Sequence, residues 1–194
     1  MEIRTIAIVG TTDLGCKIAY TAARTGYRTI LEDISPVALE RGIAWISRAI
    51  SDDAARGKIS SEVRDSALAN LSGANLIEDA SRDADLIIET VSDEMEMKLE
   101  LFTIFDRFAK PGAIFASTTH SLSITEISDV TLCAERCIRM RFSATALGKE
   151  RLELVKGRET SAETVAACSD VGRSMGCEVS VSSEEHVPSS SEGN

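Results

Sequence analysis

Two glycines in this chain are placed to hold a phosphate. In IAIVGTTDLG, Gly10 closes an apolar, β-branched run and Gly15 follows five residues later. Such a pair lets a strand turn sharply into a helix whose first N–H groups face an anion. Thr12 stands where the pattern G-x-G-x-x-G has its middle glycine. Its side chain crowds the path of a pyrophosphate, an intrusion it compensates by offering its hydroxyl to a phosphate oxygen. Thr11, Asp13 and Leu14 complete the turn, and the charge of Asp13 suits a helix start but not a neighbouring phosphate. A dinucleotide also needs a carboxylate for its ribose at the end of the next strand, about 20 residues on. Asp33, in ILEDIS, has that place and would repel the extra phosphate of NADP. These residues therefore select NAD as cofactor. The competing reading is an α/β domain in which Gly10 and Gly15 serve packing alone.

Little else in the composition offers chemistry. The five cysteines, Cys16, Cys133, Cys137, Cys168 and Cys177, include no C-x-x-C pair, and the histidines are His120 and His186. No metal site can be assembled from them, and reduced, mostly buried thiols are the expectation. The net charge of −10 disfavours nucleic acid and anionic membrane as partners. No stretch nears the ~18 apolar residues of a membrane span, and MEIRTIAIVG lacks the plan of a signal peptide. A cytoplasmic location follows as an expectation. Arg136, Arg139 and Arg141 stand together in this acid-rich chain, and on a strand Arg139 and Arg141 share a face, so an anion contact is expected there.

The elements that must position these residues alternate between short apolar runs and helix-length amphipathic stretches. TIAIVG, RTILED, ANLIED, DADLIIETV, AIFAST, RCIRMRFSA, RLELVKG and CEVSVSS read as strands. DLGCKIAYTAART ends at Gly26, and Ser35-Pro36 caps a long helix that is followed, after Gly57, by a second. In SDEMEMKLELFTIFDRFAK, Met97, Leu101, Ile104, Phe105 and Phe108 recur at helical spacing. The expected fold is α/β, a Rossmann-like doubly wound, mostly parallel sheet with a helical hairpin inserted at 36–70. Residues 1–182 form this domain, and 183–194, polar and serine-rich, form a disordered tail.

From GYRTILEDISPVALERGIAWI onward the chain resembles the N-terminal domain of the 3-hydroxyacyl-CoA dehydrogenase family. The resemblance continues through GKISSEV, DADLIIETVSDEMEMKLELF, AIFASTTHSLSITEI and LELVKGRETSAETV, and covers Ile3 to about Val181. It implies NAD as cofactor and a hairpin that helps to hold coenzyme A, with Arg56 and Lys58 as phosphate contacts or simply a solvated basic pair. It implies that Asp93 lies near the nicotinamide and that Lys98 is a cofactor-side lysine. The departures fall on the chemistry. The family's S-N-T-S-S-L reads STTHSL, so that Thr118 replaces an asparagine and His120 the serine at the substrate hydroxyl. Its H-F-F-N-P reads RFSAT, so that Arg141 replaces the catalytic histidine and Ala144 an asparagine beside the nicotinamide. Glu153 keeps its place as the acid that orients that histidine.

Two functions remain open on this basis. In one, an oxidoreductase acts on a 3-hydroxyacyl thioester or related hydroxy acid, with His120 as a relocated base, Arg141 as an anion clamp and Glu153 as its partner. In the other, an inactive NAD-binding protein serves as a sensor or partner subunit. The family's helical domain, which follows an Asp-x-Pro-Gly segment, has no counterpart in HVPSSSEGN, so a protein partner or homo-oligomer is expected to supply it.

Overall fold

The computed structural model describes residues 2–144 and 150–184. In chain order the elements are β1 (Thr5–Val9), α1 (Asp13–Arg24), β2 (Arg28–Glu32), α2 (Pro36–Ala55), α3 (Ser61–Asn70), β3 (Leu71–Ala74), α4 (Ile77–Arg82) and β4 (Leu86–Glu89). They continue with α5 (Met95–Phe108), β5 (Ile114–Ser117), α6 (Ile124–Ser128), β6 (Cys137–Ala144), β7 (Glu150–Lys156), α7 (Ala162–Ser174) and β8 (Glu178–Ser183). One eight-stranded sheet has the order β3-β2-β1-β4-β5-β6-β7-β8, and every pairing is parallel except β6 with β7. This is the expected doubly wound α/β sheet, with α2 and α3 as the inserted hairpin.

Both faces of the sheet are covered, which is why its central strands are apolar at successive positions. Ile6 and Ile8 pack with Ile18, Ile46, Ile50 and Leu154 on one face, whereas Ala7 and Val9 pack with Phe102, Phe105 and Phe115 on the other. Four of the five cysteines are buried in these layers, and burial pushes the Cys168 thiol up to about 12, so it behaves as an apolar side chain. Among the described residues no group of histidine, cysteine and acid side chains is placed to hold a metal ion, and no helix is long and apolar enough to cross a membrane.

The hairpin is fixed at both ends. Ser35 caps α2 through a bond from the Ala38 amide, with Pro36 in the first turn. At the far end Asp53 accepts hydrogen bonds from Tyr20 and Arg24 of α1, and pairs with Lys58 at 3.1 Å. Gly42 makes the close approach of α2 possible, since a Cβ there would lie 3.0 Å from Leu31 and 3.2 Å from Thr11.

Three sequence expectations are corrected. ANLIED is not a strand: β3 ends at Ala74, and Ile77 opens a short helix with Glu78 and Asp79 in its first turn. The buried face of α5 is Lys98, Leu101, Phe102 and Phe105, while Met97 is exposed, because Lys98 is drawn inward by a buried acid. The expected tail does not start at 183. Ser183 ends β8, and the Glu184 carboxylate accepts from the Ile124 and Thr125 amides and the Ser123 and Thr125 hydroxyls, capping α6. Residues 185–194 lie outside the described residues.

Candidate functional site

The strand order reverses between β2-β1 and β4-β5, which opens a crevice above the C-terminal ends of β1 and β4. The glycine turn stands there. Gly10 has φ of 99°, a left-handed conformation that a side chain would strain. A Cβ on Gly15 would lie 2.2 Å from the Gly10 carbonyl oxygen, so only glycine allows α1 to start this close to β1. Thr12 is the N-cap: its hydroxyl accepts from the Gly15 amide at 3.0 Å and donates to the Thr90 hydroxyl at 3.1 Å. Thr90 in turn donates to the Val9 and Gly10 carbonyls, both at 3.0 Å. The Thr12 hydroxyl is thus turned into the protein rather than offered to a phosphate. The Asp13 and Leu14 amides, in the first turn of α1, have no acceptor within the helix and remain available to an anion. Asp13 itself is exposed.

Asp33 stands just past the end of β2. Its Oδ2 accepts from the Thr11 hydroxyl at 2.6 Å and the Thr11 amide at 3.1 Å, and its Oδ1 accepts from the Ser35 amide at 2.9 Å. Burial alone would raise its pKa, but those bonds outweigh burial and hold it below the usual carboxylate range. A carboxylate accepts about four hydrogen bonds, and three to Asp33 are made within the protein, two on Oδ2 and one on Oδ1. The turn, its open amides and an ionised Asp33 fit an adenine dinucleotide. The neighbouring Glu32 is buried, and burial, followed by the charges of Asp33 and Glu78, raises its pKa from 4.5 to about 7.

A dinucleotide whose adenosine lies toward β2 must send its other half across β4 and β5. Asp93 follows β4 there, with its side chain one-third exposed at 34%. Its Oδ2 accepts from the Ser121 hydroxyl at 2.9 Å and from the His120 and Ser121 amides at 3.2 and 3.3 Å. Burial opposes ionisation, but hydrogen bonds from Thr119, Ser121 and His120 prevail and lower its pKa. The His120 loop is thereby tied to Asp93 through its backbone, while the side chain of this exposed residue is left to face solvent. Lys98 is turned into the protein. It is fully buried, with Nζ 2.8 Å from both carboxylate oxygens of Glu89, which is equally buried, and 3.8 Å from Asp93.

Arg141 and Glu153 are directly opposite each other on β6 and β7, joined at 3.2 Å, with side chains about 40% exposed. Glu153 also accepts from the Ser182 hydroxyl at 2.8 Å. Thr118 is buried and Ala144 ends β6, exposed. The three arginines do not act as one cluster. Arg136 lies before β6 and pairs with Glu135, Arg139 donates to the Leu122 carbonyl and lies 3.8 Å from Glu184, and only Arg141 reaches Glu153. Lys58 is engaged by Asp53, whereas exposed Lys17 and Arg41, with Trp45, line an open groove between α1 and α2 that also includes Thr11 and Asp13.

Sequence reasoning overlooked Thr90, Glu89 and the Lys17–Arg41 groove. Glu89 carried a legible signal, an acid closing the apolar run LII, as did Lys98, which shares a helical face with Leu101, Phe102 and Phe105.

The model of the 3-hydroxyacyl-CoA dehydrogenase NAD-binding domain matches residues 5–185. A probable 3-hydroxybutyryl-CoA dehydrogenase of Bacillus subtilis is 34% identical over 176 residues, covering 91% of this chain and 61% of that protein. The 3-hydroxyadipyl-CoA dehydrogenase of Escherichia coli is 32% identical, covering 91% of this chain and 37% of the relative. The crystal structure of an Escherichia coli 3-hydroxybutyryl-CoA dehydrogenase superposes with a TM-score of 0.88 at 30% identity, over 94% of this chain and 39% of the other. The chain thus spans between about two-fifths and three-fifths of the length of these relatives. It belongs to the 3-hydroxyacyl-CoA dehydrogenase family as an NAD-binding domain, and NAD is its cofactor.

Proposed function

We propose that this domain holds NAD without performing the family's proton transfer, acting as a cofactor-binding sensor or partner subunit. The observation that carries this reading is the Arg141–Glu153 pair. Bound NAD supplies a hydride acceptor. Oxidising a secondary alcohol also needs a base that titrates near neutrality. A guanidinium stays protonated in proteins, so Arg141 takes no proton and Glu153 fixes it in place. Arg141 is suited instead to hold a carboxylate or phosphate. On the cofactor side, the Asp13 and Leu14 amides would receive the pyrophosphate and Asp33 one ribose hydroxyl.

A second reading is favoured by the tether between Asp93 and the His120 loop. In it His120 is the base for a 3-hydroxyacyl thioester or related hydroxy acid, with Arg141 as clamp. A thioester site completed by a partner protein or second copy rests on the family resemblance and forms part of that reading. Titration of the purified chain with NADH and NADPH tests the cofactor half. NADH binds and NADPH binds at least about tenfold more weakly, because Asp33 repels the extra phosphate; equal affinities would remove Asp33 from the site. The second reading requires acetoacetyl-CoA-dependent NADH oxidation that disappears in His120→Ala.

A further inference from the structure

The five cysteines are not equivalent. Burial is the main influence on the Cys16, Cys168 and Cys177 thiols. Cys133 and Cys137 act instead on each other. CAERC sets them four residues apart, around the single 3-10 turn Ala134–Arg136. That turn folds the chain back: the Arg136 amide donates to the Cys133 carbonyl at 2.8 Å, and the Cys137 amide to that of Ala134. Cys137 opens β6, and its Sγ lies 3.7 Å from both the Cys133 carbonyl oxygen and the Thr131 hydroxyl. The same hydroxyl accepts from the Cys133 amide at 3.4 Å. Both sulfurs therefore stand over one short stretch of backbone, where the two thiols share a hydrogen bond. Sulfurs placed so need little backbone movement to join.

The pair is chemically uneven, which favours first attack by one member. The bond from Cys137, helped by the Arg136 charge, outweighs burial and holds the Cys133 thiol below its ordinary value; the same bond and burial push Cys137 up. Cys133 also donates to Asp106 at 3.5 Å. Both side chains are buried, but under a thin cover: Val130 and Leu132, just ahead of Cys133, turn their apolar side chains to solvent. We propose that Cys133 and Cys137 are an oxidation site that closes to a reversible disulfide with hydrogen peroxide as oxidant. The Cys133 sulfur attacks peroxide; an S–O bond forms, the O–O bond breaks, and the departing hydroxide takes the thiol proton and leaves as water. Cys137 then attacks the sulfenic sulfur; the S–S bond forms, the S–O bond breaks, and a second hydroxide leaves with the Cys137 proton. Two thiols lose two electrons, and peroxide gains them. The new bond also fastens a junction. Inside the turn the Glu135 carbonyl accepts from the Ser161 amide at 2.9 Å and the Thr164 hydroxyl at 2.8 Å, at the start of α7.

In the test, hydrogen peroxide is applied to the folded full chain, free thiols are alkylated in denaturant, and the chain is digested with trypsin without reductant. Trypsin cuts after Arg136, so a reduced chain yields the two cysteines on separate peptides. The expected result is those two peptides joined, lighter than their sum by two hydrogen atoms and parted again by dithiothreitol, with Cys16, Cys168 and Cys177 alkylated. The oxidised chain should unfold about 2 °C or more above the reduced one. In Cys137→Ser the resolving thiol is gone, and dimedone should capture a sulfenic acid at Cys133. Alkylation of both Cys133 and Cys137 after peroxide, or a link from either to a third cysteine, overturns the proposal. So does a link that forms only after urea has unfolded the chain, since closeness in sequence alone would then explain it. No capture by dimedone overturns the order of attack, and an unchanged or lower unfolding temperature overturns the fastening role.

Discussion

The Thr11 hydroxyl occupies an acceptor position on Asp33, one that a ribose would use if Asp33 holds the cofactor as proposed. Thr11→Ala leaves the amide bond in place and frees Oδ2 for a second ribose hydroxyl. NADH affinity is expected to rise about threefold, consistent with one hydrogen bond to a charged group competing against water; calorimetric titration checks it. Glu32 makes stability depend on pH. Its folded pKa, about 7, lies above its ordinary 4.5, so the folded state binds the proton more tightly than the unfolded chain. That contribution is full below pH 4.5 and is lost as pH rises through 7. Thermal unfolding should show stability falling by on the order of 3 kcal/mol across that window, and Glu32→Gln should remove the fall. The position of Asp33 beside the glycine turn was legible from its spacing. The state of its oxygens was not, because Thr11 and Ser35 bond to it only after the turn and α2 have folded around it.

At the scale of elements, most strands and helices were legible because apolar runs with both faces buried contrast with amphipathic helices. The failures have separate causes. Leu71–Ala74 carries too few apolar residues to declare a strand and pairs along one edge with β2. The spacing of Met97, Leu101, Ile104, Phe105 and Phe108 points to a different face of α5, because Glu89 recruits Lys98 into the core. The α2–α3 hairpin was legible as two helices about Gly57, but its anchorage was not. Tyr20, on α1, donates to Asp53, and with Lys58 it holds that carboxylate below its usual range. Tyr20→Phe should cost about 1–2 kcal/mol. Hydrogen exchange should accelerate in 36–70 and stay unchanged in β1 and β4; uniform acceleration would mean that Asp53 anchors the whole fold rather than the hairpin.

For the molecule as a whole, the sheet order places the glycine turn and Asp33 on one side of the crevice and the Arg141–Glu153 pair on the other. On the first side Thr12 is accommodated by serving as the α1 cap. On the second side Glu153 faces Arg141, a cation that cannot exchange protons. The family was legible in sequence because its motifs run in order along the chain; what the substitutions do was not, since ion pairing across β6 and β7 is a matter of register. The most direct measurement is the loss of NADH absorbance on adding acetoacetyl-CoA to near-stoichiometric protein already shown to bind NADH. Bound NADH and no oxidation are expected. Oxidation at a measurable rate would contradict that expectation and place the base at another residue, with His120 the first to replace.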